Sequence, residues 1–457
     1  MNLPPEIFRA YDIRGIVGRT LDAGIARAVG RAIGTLSRER GARAVVVGRD
    51  GRLSGPALSA ALGEGIDAAG TDVMDVGMVP TPVAYFAAHQ LDAGSCAMVT
   101  GSHNPPDYNG IKMVVAGDAL SGNEIQALRV RAQSGPLASG AGRRSTADVL
   151  DAYVARIVGD VRLARPMKIA IDCGNGVAGL VAARLFRALG CAVEELFCEV
   201  DGTFPNHHPD PSQPKNLADL IRALAGGEAE LGLAFDGDGD RLGVVTKDGE
   251  VIFPDRQLML YAADVLSRNP GAEIIYDVKC SRLFAPWVER HGGRPVICRT
   301  GHSLVKAQLK ASGAPLAGEM SGHTFFRERW YGFDDALYTG ARLLEIVSRA
   351  PEASAVLKAL PNAPCTPELN WKLEEGEPHA LVARLQATRP FPGAARIIDI
   401  DGVRVEYADG FGLARASNTT PVIVLRFEGD TPAALARIQE AFRAALQPLK
   451  PAAPLPY

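Results

Sequence analysis

AVVVGRD at residues 44–50, IAIDCG at 169–174 and IIYDVK at 274–279 are short apolar runs that end in charged or small residues and lead into Ala/Leu-rich helical stretches. Such runs are the pattern of strands feeding α/β crossovers. A second strand is expected in each copy, at 72–76, 192–197 and 295–298. A third, at 96–99, 231–235 and 314–317, runs straight into a polar loop: TGSHNPPDYNG from Thr100, DGDGDR from Asp236 and GEMSGH from Gly318. The chain therefore reads as three diverged copies of one α/β unit. In open α/β sheets, ligands bind beyond the carboxyl ends of the strands, so three such loops converge if the units face a common cleft. The alternative is three independent domains with solvated turns, but turn chemistry alone would not select three closely spaced aspartates or a Glu-Met-Ser-Gly-His run.

The 457 residues suit three or four domains of roughly 150 residues each. After about residue 365 the pattern changes to alternating strands at 397–407 and 422–427, with a polar loop between them and a helix after. Asp430 or Thr431 can cap that helix, Pro432 suits its first turn, and Leu435, Ile438, Phe442 and Leu446 share one face. LPNAPCTPE at 360–368 reads as a Pro-punctuated linker. The expected architecture is three related α/β mixed-sheet domains, 1–148, 149–250 and 251–362, plus a smaller C-terminal α+β domain, 363–457, around a central cleft.

Lys and Arg number 49 against 52 Asp and Glu, a net charge of -3 with no long basic block, so nucleic acid is not an expected partner. An anionic ligand must be met by locally placed cations. No stretch approaches the roughly 20 apolar residues of a membrane span, and Glu6, Arg9, Asp12 and Arg14 break any secretory h-region. Seven scattered cysteines without a CxxC pair suggest reduced structural thiols. A cytoplasmic protein is expected, and a monomer, because no extended heptad is evident.

Asp236, Asp238 and Asp240 lie within five residues on a glycine-rich turn, where three carboxylates can meet one hard divalent cation. An EF-hand fails, since Arg241 stands where its Gly belongs and Lys247 where its bidentate Glu belongs. Open coordination suits Mg²⁺ in phosphoryl transfer. Pro105 and Pro106 stop both strand and helix after Ser102, presenting its hydroxyl on a rigid turn. His103, Lys112 and the metal loop are candidate helpers for that weak nucleophile; an ordinary turn around an accidental Ser-His pair is the alternative. Glu319, Ser321 and His323 have the donors and acceptors to bracket vicinal sugar hydroxyls. Arg415, Ser417, Asn418 and Thr419 offer a nest for a phosphate that is held but not transferred, or else a hairpin loop rich in turn formers.

These four loops, in this order, closely resemble the α-phosphohexomutase superfamily, and GEMSGH and RASNTTP are similar to its bacterial phosphomannomutase/phosphoglucomutase branch. The resemblance covers essentially the whole chain. It implies a phosphoserine at Ser102, Mg²⁺ held by Ser102 with Asp236, Asp238 and Asp240, and a hexose 1,6-bisphosphate as intermediate and activator. Glu319 and Ser321 would bind sugar hydroxyls, and Arg415, Ser417, Asn418 and Thr419 the distal phosphate. FRAYDIRG at 8–15 also resembles the family signature. By the same resemblance Tyr11, Lys279 and His302 would contact substrate, and Arg14 and Lys112 are candidates for proton transfer. Charge neutralisation would fall to Mg²⁺, Arg241 and Lys112. The implied activity moves phosphate between O1 and O6 of mannose or glucose phosphate. Met320 and the Asn418-Thr419-Thr420 loop differ from the Gln and Gly-Thr-Glu typical of phosphoglucosamine mutases, which leaves that activity second. A non-catalytic phosphosugar-binding protein is the third expectation.

Overall fold

The structure is a computed structural model that describes residues 3–418 and 420–457. Its first three sheets repeat one topology. In the first unit Ala44–Arg49 lies between Asp72–Met78 and Gly94–Val99, all parallel, and Tyr108–Val115 returns antiparallel beside the third strand. The second unit repeats this with Lys168–Asp172, Ala192–Leu196, Leu231–Phe235 and the return strand Leu242–Thr246. The third uses Glu273–Asp277, Arg294–Cys298, Leu316–Gly318 and Thr324–Phe326. Helices cover the parallel strands, so the initiating strands are buried along nearly their whole length and apolar at their centres, as strands covered on both faces must be. The three polar loops occupy one equivalent place, the link between the third parallel strand and its antiparallel return.

The first sheet carries an extra edge strand, Ile13–Ile16, antiparallel to Tyr108–Val115 with Arg14 opposite Gly110. This brings the Tyr11 to Arg14 segment beside the serine loop. One apolar cluster runs through all three units, from Phe86 and Tyr153 to Phe186, Phe235, Tyr261 and Tyr338. The loops are thus mounted on a continuous core.

The C-terminal unit departs from the expectation in two places. The single strand expected over 397–407 is two strands, Arg396–Ile398 and Val403–Tyr407, which pair antiparallel. The chain reverses between them at Gly402, whose φ of +81° and contact with Ala414 and Arg415 would not tolerate a side chain. The expected polar loop contains a fully buried strand, Gly410–Ala416, in the middle of the sheet. Its glycines replace the usual apolar alternation because Phe442 packs against Gly412 where a Cβ would be. Leu369–Lys372 and the helix Glu377–Thr388 complete the unit. Thr431 caps the closing helix Pro432–Leu446, its Oγ1 accepting from Ala434 N at 3.1 Å. Ile438, Phe442 and Leu446 are buried, a stabilisation of roughly 2 kcal/mol each.

The other face of this last sheet docks on the third unit. Phe411 and Leu413 pack against Val278. Arg404 donates to the carbonyls of Val278 and Cys280 at 2.8 and 2.6 Å, and Arg426 to that of Lys279 at 2.6 Å. Two buried guanidinium groups therefore fix the backbone around Lys279.

Candidate active site

Ser102 is 1% exposed and has φ +49°, a left-handed conformation that L-residues adopt at a cost. Its N–H donates to Thr100 Oγ1 at 2.8 Å, and Thr100 Oγ1 in turn donates to Asp50 Oδ2 at 2.8 Å. Arg52, buried and paired with Asp50, grips the same loop from below. Its Nη2 donates to the carbonyls of Ser102 (2.8 Å) and Asn104 (2.6 Å), and its Nη1 to those of Pro105 and Tyr108. A Cβ on Gly101 would sit 2.3 Å from Arg52 Nε, so glycine there admits the guanidinium. The strained turn is thereby over-determined by its surroundings.

The hydroxyl of Ser102 faces the aspartate loop and donates to Asp236 Oδ2 at 3.0 Å. Asp236 Oδ1 accepts from the N–H groups of Gly239, Asp240 and Arg241 at 3.0–3.1 Å, which curls the loop so that the three carboxylates converge. Oxygens of Asp236, Asp238 and Asp240 lie within 4.8 Å of one another, and all three residues are fully buried. Lys112 Nζ donates to Asp238 Oδ2 at 2.7 Å and to Asp240 Oδ2 at 2.5 Å. Among the described residues Oδ1 of Asp238 is buried without a hydrogen-bond partner, and Oδ1 of Asp240 meets only His323 Nε2, at 3.4 Å. Unsatisfied anionic oxygens in a dry site fit a hard divalent cation.

Burial and the two neighbouring carboxylates push Asp236 well above its ordinary value. Burial also opposes ionisation of Asp238 and Asp240, but Lys112 outweighs it and holds both below theirs. Asp240, His323 and Asp334 form a second close triad, yet Lys112 and Lys306 already balance its carboxylates. That triad reads as an ionic network and not as another metal site.

The third loop couples to the second. His323 lies 3.0 Å from Glu319 through Nδ1 and 3.4 Å from Asp240 through Nε2, and Ser321 Oγ is 2.9 Å from Nδ1. Arg241 Nε is 3.3 Å from His323 Nε2. Glu319 also accepts the Gly301 N–H, joining it to the His302 helix. Lys279 donates to Glu368 at 2.6 Å. Arg415 Nε donates to Asp401 at 3.0 Å, while its buried Nη2 has no hydrogen-bond partner among the described residues.

Tyr11, Arg14, Ser102, His103, Lys112, Arg241, His302, His323 and Thr420 line one cavity of about 110 Å³. All four units contribute to that wall. Arg14 Nη1 reaches Asn104 and the Gly101 carbonyl, so it braces the serine loop. His103 turns to Asp210, with Nδ1 3.6 Å from Oδ2, and Ser102 Oγ has its bond to Asp236 instead. Desolvation in the cleft pushes the His103 imidazole down to about 4. Ser417 and Asn418 lie on the C-terminal loop, where Thr420 donates to Ser417 Oγ; Thr419 lies outside the described residues.

Several functional neighbours escaped the sequence reading. Arg52 and Asp50 carry the serine loop, Thr81 donates to Asp238 at 2.5 Å, and Asp401 and Glu368 hold Arg415 and Lys279. The one signal available was the GRDGR run at 48–52, charged residues directly after a strand of the repeated unit.

A buried serine facing three convergent carboxylates, in a cavity that Arg14, Lys112 and Arg241 make cationic, has the parts of an intramolecular phosphotransferase. The phosphoglucomutase/phosphomannomutase domains match the chain in order: alpha/beta/alpha domain I over residues 5–136, II over 151–249, III over 253–363 and the C-terminal domain over 368–445. A phosphomannomutase/phosphoglucomutase of Pseudomonas aeruginosa is 56% identical over 456 residues, covering 100% of this chain and 98% of the relative. A phosphoglucomutase of Neisseria meningitidis is 57% identical over 449 residues, 98% of each chain. The crystal structure of a phosphoglucomutase/phosphomannomutase family protein from Burkholderia thailandensis superposes with a TM-score of 0.94 at 60% identity over 100% of both chains. The chain belongs to the phosphoglucomutase/phosphomannomutase family, in the bacterial branch of the α-D-phosphohexomutase superfamily, and is an enzyme of the isomerase class.

Proposed function

We propose that the enzyme interconverts mannose 6-phosphate with mannose 1-phosphate, and glucose 6-phosphate with glucose 1-phosphate, through a phosphoserine at Ser102 and a hexose 1,6-bisphosphate. The observation that carries this is the Ser102 hydroxyl held 3.0 Å from Asp236 in a cavity walled by all four units. In the forward half, the bond from phosphorus to Ser102 Oγ breaks, a bond to the free O1 or O6 forms, and the hydroxyl proton leaves to a base in the cleft. The sugar then turns end for end, the bond from its other phosphorus to the sugar oxygen breaks as a bond to Ser102 Oγ forms, and that sugar oxygen takes a proton back from the cleft.

Asp236, Asp238, Asp240 and the phosphoseryl oxygen would hold Mg²⁺, which when bound neutralises charge on the transferring group. Lys112, kept protonated by Asp238 and Asp240 against the effect of burial, suits the role of cation and acid more than that of base. Arg241 adds positive charge at the same place, and Arg14 is the remaining candidate for proton transfer, whereas His103 serves the loop through Asp210. Glu319 and Ser321, organised by His323, suit O3 and O4, the pseudo-symmetric pair that both sugar orientations present. Arg415, Ser417, Asn418 and Thr419 suit the distal phosphate, with Tyr11, Lys279 and His302 along the sugar.

We also take the domains to divide after residues 148, 250 and 362, although Val251–Ile252 still pairs with the return strand of the second sheet, and the chain to act as a cytoplasmic monomer. All seven cysteines are free thiols, and among the described residues no helix is long and apolar enough to cross a membrane.

The test is side-by-side turnover of the 1-phosphates of mannose, glucose and glucosamine with Mg²⁺ and hexose 1,6-bisphosphate, combined with intact-mass measurement. Turnover of mannose and glucose phosphates with one phosphate on Ser102 is the expected result. Preference for the amino sugar would make the enzyme a phosphoglucosamine mutase. No turnover, and no phosphate acquired from the bisphosphate, would reduce it to a binding protein.

A further inference from the structure

Asp334 belongs to none of the four loops, yet its carboxylate is fully buried between the His302 helix and the cleft. Its backbone is pinned by a bridge to Phe325 at the end of the third sheet. Lys306, one turn after His302 on the helix His302–Ser312, donates to Asp334 Oδ1 at 2.8 Å and lies over the Tyr85 ring at 4.4 Å. That leaves Oδ2, which among the described residues has no hydrogen-bond partner and stands 3.7 Å from His302 Nδ1, itself buried and unpartnered there. Two complementary orphans face each other a few tenths of an ångström beyond bonding range. Hydrogen bonds of catalytic histidines are often long without substrate and tighten when it binds.

We propose that Asp334, held by Lys306, is the positioning residue for His302: its Oδ2 takes the Nδ1–H and so fixes ring orientation and tautomer, leaving Nε2 as the unprotonated acceptor. The proposal rests on the mutase reading in assigning His302 to the substrate, but the tautomer itself does not depend on it. A neutral ring is what the surroundings favour, because burial, Lys306 and Lys112 all push its imidazole down. Of a neutral ring's two nitrogens, the one facing a carboxylate carries the proton. The His302 ring stands edge-on to Tyr11 at 5.4 Å and lines the cavity, so its orientation is felt by the substrate.

Nitrogen-15 NMR of histidine-labelled full-length protein, with the His302 signals identified by their loss in His302→Gln, reads the tautomer without any change at Asp334. The Nδ1–H form is expected in the wild type. Asp334→Asn replaces the acceptor with an amide that can donate, so the ring should change to the Nε2–H form. In that variant kcat should fall about 10- to 100-fold, the range seen when a residue behind a liganding histidine is lost, with KM changed less than about three-fold. An Nε2–H tautomer or an imidazolium in the wild type at pH 7.5 would overturn the proposal, as would a folded Asp334→Asn protein with wild-type kcat. If the wild type turns over none of the sugar phosphates, the functional reading fails, while the NMR outcome still decides the tautomer.

Discussion

Ser102 Oγ donates to Asp236 Oδ2 across 3.0 Å, although 134 positions separate the two residues. Each sits on the same link of the repeated unit, one in the first copy and one in the second. The contact is therefore an interface between two copies of one fold. It is closed by Thr81, whose N–H donates to the Asp238 carbonyl at 2.9 Å, and by Lys112 on the return strand of the first unit. Moving one unit against the other by an ångström would pull Ser102 away from the three aspartates, so on the proposed mechanism the shared core beneath the loops matters to the chemistry.

The buried carboxylates predict metal-dependent stability. Mg²⁺ at 100 times its Kd should stabilise the fold by about 2.7 kcal/mol, a rise of a few degrees in Tm at matched ionic strength. Asp238→Asn should lose most of that rise and about 100-fold or more in turnover. Thermal melts with and without Mg²⁺ check this; equal shifts in the two proteins would contradict the site.

Arg52 predicts a defect in catalysis and stability without contact to substrate. Arg52→Lys retains the charge but cannot reach four carbonyls with one ammonium. Leaving buried carbonyls unpaired should cost about 2–4 kcal/mol in denaturant melts. The loosened serine turn should lower kcat about ten-fold or more, with the KM for sugar phosphate little changed. A variant with wild-type kcat and reduced stability alone would confine Arg52 to the fold.

The division between what the sequence exposed and what it hid follows the range of the forces. The three initiating strands and the loops after each third strand are local patterns of burial and turn chemistry, legible at 44–50, 169–174 and 274–279. Gly410–Ala416 was not legible, because its glycines are explained only by Phe442 arriving from a later helix. Arg52 and Asp334 were hidden for the same reason. Their partners are backbone carbonyls and the Lys306 ammonium, brought near by the fold, and neither leaves a periodic trace in the sequence.

Asp264 predicts an acid-labile joint between the helix Pro254–Leu266 and the helix Ala336–Val347. Burial opposes its ionisation, but Arg268 at 2.7 Å and Arg342 and Arg349 at 3.1 Å outweigh that and hold the carboxyl at about 2, below the ordinary 3.8. A group depressed on folding contributes its stability above the unfolded value and loses it as pH falls toward the folded one. The contribution, about 2 kcal/mol, is thus complete at pH 7 and fades from pH 4 to pH 2. Asp264→Asn should be less stable than wild type at pH 7, and the gap in urea melts should narrow by about two-thirds of that amount near pH 2.5. A gap that does not depend on pH would show that the arginines do not hold the carboxylate charged.

Arg415 tests the far end of the cleft. Its Nε is committed to Asp401, which also accepts the Thr300 N–H at 2.9 Å and so ties the C-terminal loop to the third unit. Among the described residues its buried Nη2 has no hydrogen-bond partner, and in the proposed role it is the group that meets a phosphate oxygen. Arg415→Lys keeps the charge and loses the fork, forfeiting charge-assisted hydrogen bonds worth about 1.5–3 kcal/mol, or roughly a 10- to 150-fold rise in KM for the monophosphate. Formation of phosphoserine from a bisphosphate supplied in excess should change far less, because Ser102 and the aspartate loop are untouched. Steady-state kinetics beside intact-mass measurement separates the two effects. An unchanged KM, or an equal loss in both assays, would remove Arg415 from the distal-phosphate role.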